Sequence, residues 1–153
     1  MASQTILVLN GPNLNLLGTR EPEIYGTETL EDIERAAAEH AKRHGLAVDF
    51  RQSNSESELI GWVQTSDGQA AGLIVNAGAY THTSVALLDA LRATRAPIVE
   101  VHLSNIFQRE TFRHHSYISE VAKGVISGFG GHGYILALDA LAGLIQESGA
   151  TAP

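Results

Sequence analysis

The chain contains no cysteine, and this absence excludes disulfide bonds, thiolate nucleophiles and every cysteine-ligated zinc or iron–sulfur site. Long hydrophobic runs are also missing. Near the N-terminus the longest unbroken aliphatic run is Ile6–Leu9, whereas a membrane-spanning helix needs ~20 apolar residues. The first residues, MASQTILVLNGPN, provide neither the basic segment nor the apolar segment of a signal peptide. These absences favour a soluble, cytoplasmic protein that does not enter a membrane.

Positive charge is scarce as well. Ten Lys and Arg residues stand against seventeen Asp and Glu residues, which gives a formal net charge of −7 with neutral histidines. Nucleic-acid affinity depends on clustered cations, so the composition argues against a nucleic-acid partner. The lysines are Lys42 and Lys123, and the other basic residues are arginines. Because arginine binds carboxylates through paired hydrogen bonds, this bias suits a small anionic ligand.

The length and composition of the chain indicate one folded domain. The chain has 153 residues, of which 44% are hydrophobic and 18% are charged, and these values are typical of a single globular domain. No linker, internal repeat or low-complexity tract divides the sequence. We therefore expect one domain over residues 1–153, with a core at about residues 5–147 and a C-terminal tail that frays.

Short β-rich runs alternate with stretches of helical periodicity along the chain. Strands are predicted at Thr5–Asn10, Leu46–Gln52, Gly72–Gly78, Pro97–Leu103 and Gly124–Gly130. Helices are predicted at Thr29–His44, from Ser55 to about Gly68, at Thr81–Thr94 and at His132–Glu147. The first two helices are expected to open with capping boxes, at Thr29–Asp32 and Ser55–Glu58. A further short helix is expected around Gln108–Phe112.

Alternating strands and helices predict right-handed crossovers and a parallel sheet covered on both faces. The fold class is therefore α/β, a three-layer sandwich. At this length the pattern fits a flavodoxin-like, five-stranded parallel sheet in the order 2-1-3-4-5.

Polar residues follow three of the predicted strands, namely Asn10 and Asn13, Asn76 and Gly78, and His102 and Ser104. The carboxyl ends of parallel strands share one edge of the sheet, where ligands bind in open α/β folds. Residues of these types also form ordinary turns. Their enrichment after three strands favours a binding site.

The loop Asn13–Tyr25 is longer than the usual 2–6 residues of a connection between a strand and a helix. Long loops in compact domains are commonly functional, so we interpret this segment as a lid over the site. It carries Arg20 and Tyr25. Taken singly, the arginine is equally consistent with a solvated side chain and the tyrosine with a packed ring.

Glu100 and His102 are two residues apart, which places both side chains on one face of a strand. A carboxylate beside a histidine orients the ring and favours the imidazolium form, as a general acid requires. A purely structural pair is the alternative.

Arg109 and Arg113 are four residues apart, so a short helix would place both on one face. This face is either a cationic patch that binds an anion or an ordinary solvated surface.

A pair of histidines and a glycine motif have simpler explanations than metal or nucleotide binding. His114 and His115 are adjacent but lack the spacing of a metal site, so no metal is predicted. Gly128, Gly130 and Gly133 form GxGxxG, but a dinucleotide-binding motif follows the first strand and precedes an acidic residue ~20 positions on. We therefore interpret the glycines as tight packing between strand and helix.

Six segments together resemble type II 3-dehydroquinate dehydratase. They are NGPNLNLLGTREPEIYG (Asn10–Gly26), RQSNSE (Arg51–Glu56), NAGAYTHTSVALLDAL (Asn76–Leu91), EVHLSN (Glu100–Asn105), FRHHSY (Phe112–Tyr117) and GVISGFGGHGY (Gly124–Tyr134). The resemblance runs from about Thr5 to Leu144. It implies a flavodoxin-like subunit that assembles as a dodecamer of four trimers.

The resemblance also implies a reaction. This is the reversible dehydration of 3-dehydroquinate to 3-dehydroshikimate by anti elimination through an enolate, with no metal or organic cofactor. The pathway is shikimate biosynthesis towards aromatic amino acids, or quinate catabolism.

By the same resemblance, five residues match catalytic positions. Tyr25 matches the base that removes the C2 proton, and Arg20 matches the cation that keeps this tyrosine ionised. Asn13 matches the residue that holds a water against the enolate oxygen. His102 matches the acid that protonates the departing hydroxyl, and Glu100 matches its orienting partner.

Other residues match binding positions. The carboxylate-binding set corresponds to Asn76, Ser104 and the backbone N–H of Leu103. The ring hydroxyls correspond to His82 and Arg113, and the remaining substrate-binding candidates are Arg109, a second source of positive charge, and Gly78. Asp89 matches a residue that reaches into the site of a neighbouring subunit.

The chain departs from the family pattern at Leu88, where arginine is frequent, and at Phe107-Gln108, where His-Ala is common. Leu88 adjoins Asp89 and is expected to affect the subunit contact.

Two other functions are possible for a chain with these motifs. A Schiff-base dehydratase would need a buried lysine, and neither lysine has a desolvated context. A flavodoxin-like anion- or nucleotide-binding module without catalysis would not need the lid tyrosine with its arginine.

Overall fold

A computed structural model of the chain describes residues 4–19 and 21–151, without the side chains of residues 24, 25 and 149–151. Five strands form one parallel sheet: β1 Gln4–Asn10, β2 Leu46–Gln52, β3 Gly72–Asn76, β4 Ile98–His102 and β5 Gly124–Ser127. Their order is β2-β1-β3-β4-β5, and every neighbouring pair is parallel. The predicted fold class and strand order are confirmed.

Both faces of the sheet are buried, which explains why β1 is continuously apolar. Ile6 and Val8 pack into the core on one face, while Leu7 and Leu9 pack into the core on the other. All four are at most 3% exposed. Full burial of one such side chain is worth roughly 1.5–3 kcal/mol, so the two cores hold the layers together.

The described residues form the α-helices α1 Pro22–Tyr25, α2 Leu30–Ala41, α3 Glu56–Ser66, α4 Val85–Ala93 and α5 His132–Thr151, of which α2 to α5 cover the sheet. Residues of α2 and α5 belong to the core on one face, and residues of α3 and α4 belong to the core on the other. None of the described helices is both long enough and apolar enough to cross a membrane.

Side-chain caps set the starts of three helices. Thr29 accepts a hydrogen bond from the Asp32 amide, and the Asp32 side chain accepts one from the Thr29 amide, so the predicted capping box of α2 is complete. Ser55 caps α3 through the amide of Glu58. The cap of α4 is Ser84, because a 3-10 turn at Gly78–His82 precedes this helix. The predicted helix start at Thr81 is therefore wrong.

The segment between β4 and β5 differs from its prediction. No helix runs through Gln108–Phe112; instead there are 3-10 turns at Ile106–Gln108, Thr111–Arg113 and Ile118–Glu120. The backbone of Arg109 is extended, with φ −104° and ψ −167°, which breaks any helix there. At the C-terminus, α5 continues four residues beyond the predicted end at Glu147, since a glycine lowers helix propensity by only about 1 kcal/mol.

The GxGxxG glycines serve packing and turns. Gly128 and Gly130 have positive φ values of 99° and 58°, which favour glycine. A Cβ on Gly133 would lie 3.3 Å from the Cγ1 atom of Val101, so α5 approaches the sheet closely here. The interpretation as tight strand–helix packing is confirmed.

Gly11 is the most crowded turn position after β1. A Cβ on this residue would lie 2.2 Å from the backbone oxygen of Ala77, and its N–H donates a hydrogen bond to the Asn76 carbonyl at 2.8 Å. We expect Gly11→Ala to lower the free energy of unfolding by more than about 2 kcal/mol, because backbone must move. Denaturant titration measures this loss.

The matched control for Gly11→Ala is Gly61→Ala in α3, where nothing lies within 4 Å of the added Cβ. This control should gain up to about 1 kcal/mol from helix propensity. Equal stability of the two variants would contradict the proposed crowding at Gly11.

Candidate active site

The carboxyl ends of β1, β3 and β4 border a cleft of about 250 Å³. Nine residues predicted for the site line it: Asn13, Asn76, Gly78, His82, His102, Leu103, Ser104, Arg109 and Arg113. Because these residues come from three strand ends and the segment after β4, the topology of the sheet is what brings them together. The structure thus gathers these nine predicted residues around one cleft at this edge.

Of the remaining predicted residues, Glu100 and Asp89 do not line this cleft. Glu100 is fully buried in β4 behind His102. Asp89 is exposed on α4 and does not line the cleft of its own chain. Arg20 lies outside the described residues, as does the side chain of Tyr25, whose backbone ends α1. Leu88 is 4% exposed, so its side chain packs inside its own chain, and its effect on a subunit contact stays a prediction.

His102 and Glu100 form a buried pair on one face of β4, as their spacing predicts. The Nε2 atom of His102 contacts Oε2 of Glu100 in a short hydrogen bond, and the side chains are 6% and 1% exposed. A carboxylate only accepts hydrogen bonds, so Nε2 carries the proton. This leaves Nδ1 as the ring nitrogen available for chemistry in the cleft.

Two serines that the sequence analysis missed complete the environment of Glu100. Ser116 donates to Oε2 at 2.7 Å and Ser119 donates to Oε1 at 2.5 Å. Burial opposes ionisation of Glu100, but the hydrogen bonds and charge of His102, with the serine hydroxyls, hold the pKa of this carboxyl below its ordinary value. Glu100 is therefore a buried anion that holds the His102 ring through its Nε2 atom.

A second buried chain of hydrogen bonds holds the strand ends. The Nδ2 atom of Asn76 donates to the Tyr134 hydroxyl at 2.9 Å, and that hydroxyl donates to Oδ1 of Asn10 at 2.5 Å. Burial raises the pKa of Tyr134, so its hydroxyl stays protonated and keeps both roles. Asn76 also accepts from the Gly78 amide at 3.3 Å. The orientation of the Asn76 amide is thus determined from α5, which the sequence analysis did not predict.

The backbone shapes the front of the cleft. Asn13 adopts a left-handed conformation with φ 70°, which asparagine tolerates better than most residues, and its N–H donates to Oδ1 of Asn54 at 3.0 Å. Gly78 has φ 59°, and a Cβ on it would lie 3.1 Å from the Pro12 carbonyl oxygen. The loops after β1 and β3 are therefore packed closely against each other.

His82 faces the cleft as a neutral ring. Its Nδ1 lies 2.7 Å from the carbonyl oxygen of His115, so Nδ1 carries the proton and Nε2 is an acceptor. Burial lowers the pKa of His82, which favours this neutral form. Such a ring is suited to accept a hydrogen bond from a hydroxyl group.

Arg109 and Arg113 make the cleft cationic within an acidic protein. They do not share a helix, but the turns between β4 and β5 still bring both to the cleft. Arg113 donates through Nε to Glu110 and its guanidinium lies 5.1 Å from the centroid of the Phe112 ring. This arrangement suits a small, anionic, hydroxyl-bearing ligand.

The rival chemistries have little support in the described residues. His114 contacts the Arg109 carbonyl and His115 packs on Tyr117, so this histidine pair does not converge on a common point. Both lysines are exposed, and Lys42 pairs with Glu39 at 3.2 Å. Neither has the buried environment of a Schiff-base lysine.

Comparison with known proteins agrees with this geometry. Residues 4–142 match the family model described as dehydroquinase class II. The chain is 60% identical over 137 residues to "3-dehydroquinate dehydratase 2" of Pseudomonas aeruginosa, covering 90% of this chain and 93% of that protein. It is 61% identical over 140 residues to the 3-dehydroquinate dehydratase of Azorhizobium caulinodans, covering 92% and 95%.

A solved structure extends the similarity to three dimensions. The type II dehydroquinase from Propionibacterium acnes superposes with a TM-score of 0.89 at 46% identity, covering 92% of this chain and 97% of that one. The family match, the sequence identity and the shared fold all span nearly the whole chain. The chain belongs to the class II dehydroquinase family.

Proposed function

We propose that this chain acts as one catalytic domain that dehydrates 3-dehydroquinate reversibly to 3-dehydroshikimate, in the cytoplasm and as a step of the shikimate pathway. The observation that carries the proposal is the buried Glu100–His102 pair, whose histidine lines the same cleft as Arg109 and Arg113. An acid next to an anion-binding site is what the loss of a hydroxyl from a carboxylate substrate requires. The names of the relatives support the choice of substrate.

The reaction starts with removal of a proton. Tyr25, as a tyrosinate, takes the proton from C2, and the C–H electron pair moves to the C3 carbonyl to form an enolate. An ordinary tyrosine has a pKa near ~10, so ionisation needs nearby positive charge, which we assign to Arg20 with support from Arg109. Asn13 holds a water against the enolate oxygen, where negative charge develops.

The second step expels water. As the enolate collapses, the C1–O bond breaks and the departing hydroxyl takes a proton from Nδ1 of the His102 imidazolium. Glu100 holds Nε2 and stabilises the positive ring until that transfer. The two protein groups exchange one proton each with the substrate, so the elimination balances without a metal or organic cofactor.

Binding residues hold the substrate across this cleft. Asn76, Ser104 and the Leu103 N–H bind the carboxylate. The ring hydroxyls contact His82 and Arg113, with Arg109 and Gly78 completing the cleft. The neutral form of His82, with Nε2 as acceptor, supports its role towards a hydroxyl.

Assembly completes the proposed site. Asp89 is exposed and lies away from the cleft of its own chain, which supports a contact with a neighbouring site in a trimer. Four such trimers would form the dodecamer. This arrangement makes the trimer the smallest complete enzyme.

The test is an ultraviolet assay of purified protein treated with chelator. The product is a conjugated enone carboxylate and the substrate is not, so turnover raises the absorbance directly. A rise that excess chelator leaves unchanged supports the cofactor-independent dehydratase. A folded oligomer that gives no rise would instead indicate an anion- or nucleotide-binding module. Loss of activity after substrate and borohydride would indicate a Schiff-base enzyme.

Tyr25→Phe tests the base. We expect kcat to fall about 10²–10⁴-fold, the usual contribution of a general base, with substrate binding retained because only the phenol oxygen is lost. Steady-state kinetics and equilibrium binding measure the two effects. The control is Tyr117→Phe, which removes a phenol oxygen from a ring packed on His115. Near-normal turnover in Tyr25→Phe would contradict the assignment.

Tyr134→Phe tests the positioning of Asn76. The variant leaves the buried amide groups of Asn10 and Asn76 without their shared hydroxyl, which costs roughly 1–3 kcal/mol of stability. We expect KM to rise more than kcat falls, because Asn76 binds the substrate carboxylate and takes no part in proton transfer. The Tyr117→Phe control should change neither quantity. An unchanged KM in a measurably destabilised Tyr134→Phe would mean that the role is structural only.

Asp89→Ala tests the contact between subunits. Asp89 is exposed on α4, so the fold of the subunit should not suffer. We expect KM to rise about tenfold or more, the equivalent of a charged hydrogen bond of ~1.5–3 kcal/mol, or the trimer to dissociate. Kinetics with sedimentation analysis separate these effects. A trimeric variant with unchanged kinetics would rule the contact out.

A further inference from the structure

A cluster of two histidines and one aspartate lies where α2 meets α5. The Nε2 atoms of His40 and His44 lie 2.6 Å and 2.7 Å from the same Oδ1 atom of Asp139. The rings stand edge to face with centroids 5.5 Å apart, and the three donor atoms all lie within 4.8 Å of one another. These residues are not part of the cleft or of the proposed reaction.

Helical spacing produces this convergence. His40 is in the last turn of α2, and His44 ends the 3-10 turn Lys42–His44 that continues it. Residues four apart on a helix lie on the same side, so both rings point the same way. Asp139 projects from α5, whose neighbours Ala137, Leu138 and Leu141 pack in the same core as Ala37 and Ala41 of α2. Helix packing therefore fixes the distance between the two histidines and the carboxylate.

We propose that His40, His44 and Asp139 form a binding site for a late first-row divalent cation such as Zn²⁺. Two imidazole nitrogens and one carboxylate oxygen are a donor set that this class of ion prefers, and three protein ligands leave a fourth position for water. Mg²⁺ and Ca²⁺ are disfavoured because they select all-oxygen sites.

The geometry requires only a small adjustment. Zinc bonds of ~2.0–2.1 Å in a tetrahedron separate ligand atoms by about 3.3 Å. The Asp139 oxygen lies 2.6 Å and 2.7 Å from the two nitrogens, so these contacts must open by roughly 0.6–0.7 Å to reach the tetrahedral spacing. The two nitrogens lie within 4.8 Å of each other, and rotation of the side chains adjusts their separation. When the ion binds, the proton of each neutral ring moves from Nε2 to Nδ1 through solvent, so both Nε2 atoms become free to coordinate and the site has a formal charge of −1.

The position of the site separates it from catalysis. His44 precedes β2, whose first residue is Leu46, so the cluster lies at the amino edge of the sheet, whereas the cleft lies at the carboxyl edge. A bound ion would join the end of α2 to the middle of α5. Its expected effect is on the stability of this helix layer, with the dehydratase reaction unchanged.

The experiment uses the full chain without a histidine tag, stripped of metal, and Zn²⁺ as the probe. Competition with a chromophoric chelator gives the affinity and stoichiometry, and thermal unfolding gives the stabilisation. We expect one Zn²⁺ per chain and a higher Tm with zinc. Asp139→Asn retains an oxygen acceptor for both histidines but loses the charge, so it separates metal binding from the hydrogen bonds between the helices.

His44→Gln and Asp139→Asn should each weaken zinc binding by at least about tenfold, because even the loss of an outer partner of a metal ligand costs about 10–100-fold. The control is His132→Gln, which removes an exposed histidine from the start of α5 and should bind zinc like the original chain. Zinc binding that is absent, or equal in all variants, would overturn the proposal. The rate of dehydration by His44→Gln, with and without chelator, should match that of the original chain. The zinc measurements do not depend on whether the chain dehydrates 3-dehydroquinate.

Discussion

The hydrogen-bond chain from Asn76 through the Tyr134 hydroxyl to Asn10 is the interaction on which the site depends. Asn10 and Asn76 are paired in register at the ends of β1 and β3, and both side chains follow the alternation that points Ile6 and Ile74 towards α5. Two buried amides beside each other would be costly without a partner. One hydroxyl satisfies both, and it thereby links the longest helix to the edge of the sheet where the cleft opens.

Glu100 is the second constraint, because a buried anion must be compensated. Side chains alternate between the two faces of β4, and Glu100 lies on the face away from α5. It therefore cannot reach the Tyr134 hydroxyl that Asn76 uses. The segment after β4 supplies them instead, as Ser116 and Ser119 return to its two oxygens. Three 3-10 turns lie in this segment, and the last of them, Ile118–Glu120, contains Ser119. The turns also bring Arg109 and Arg113 to the cleft.

Much of the fold and part of the site could be predicted from the sequence, because both follow from local periodicity. Alternating strands and helices predict the sheet, and spacing of two predicts the contact between Glu100 and His102. Tyr134 and Ser119 could not be predicted in this way. Their contacts join residues 124 and 19 positions apart, and no local pattern marks a hydroxyl that packing will bring to a distant amide. The expected helix at Gln108–Phe112 is wrong because the extended backbone of Arg109 interrupts it, and the spacing of the two arginines does not reveal that break.

The sheet divides the apolar interior into two cores, and each has its own relation to the cleft. One core contains Tyr134 and is coupled to the cleft, so repacking it would disturb Asn76. The other includes Leu59 and Val63 of α3, which lie across the sheet from that hydroxyl. Free-energy changes at sites without shared partners usually add. An engineer seeking a more heat-resistant enzyme should therefore redesign the surroundings of Leu59 and Val63 first. Ile98 and Ile118 share this core and should be kept, because Ile98 lies in the strand of Glu100 and Ile118 adjoins its partner Ser119.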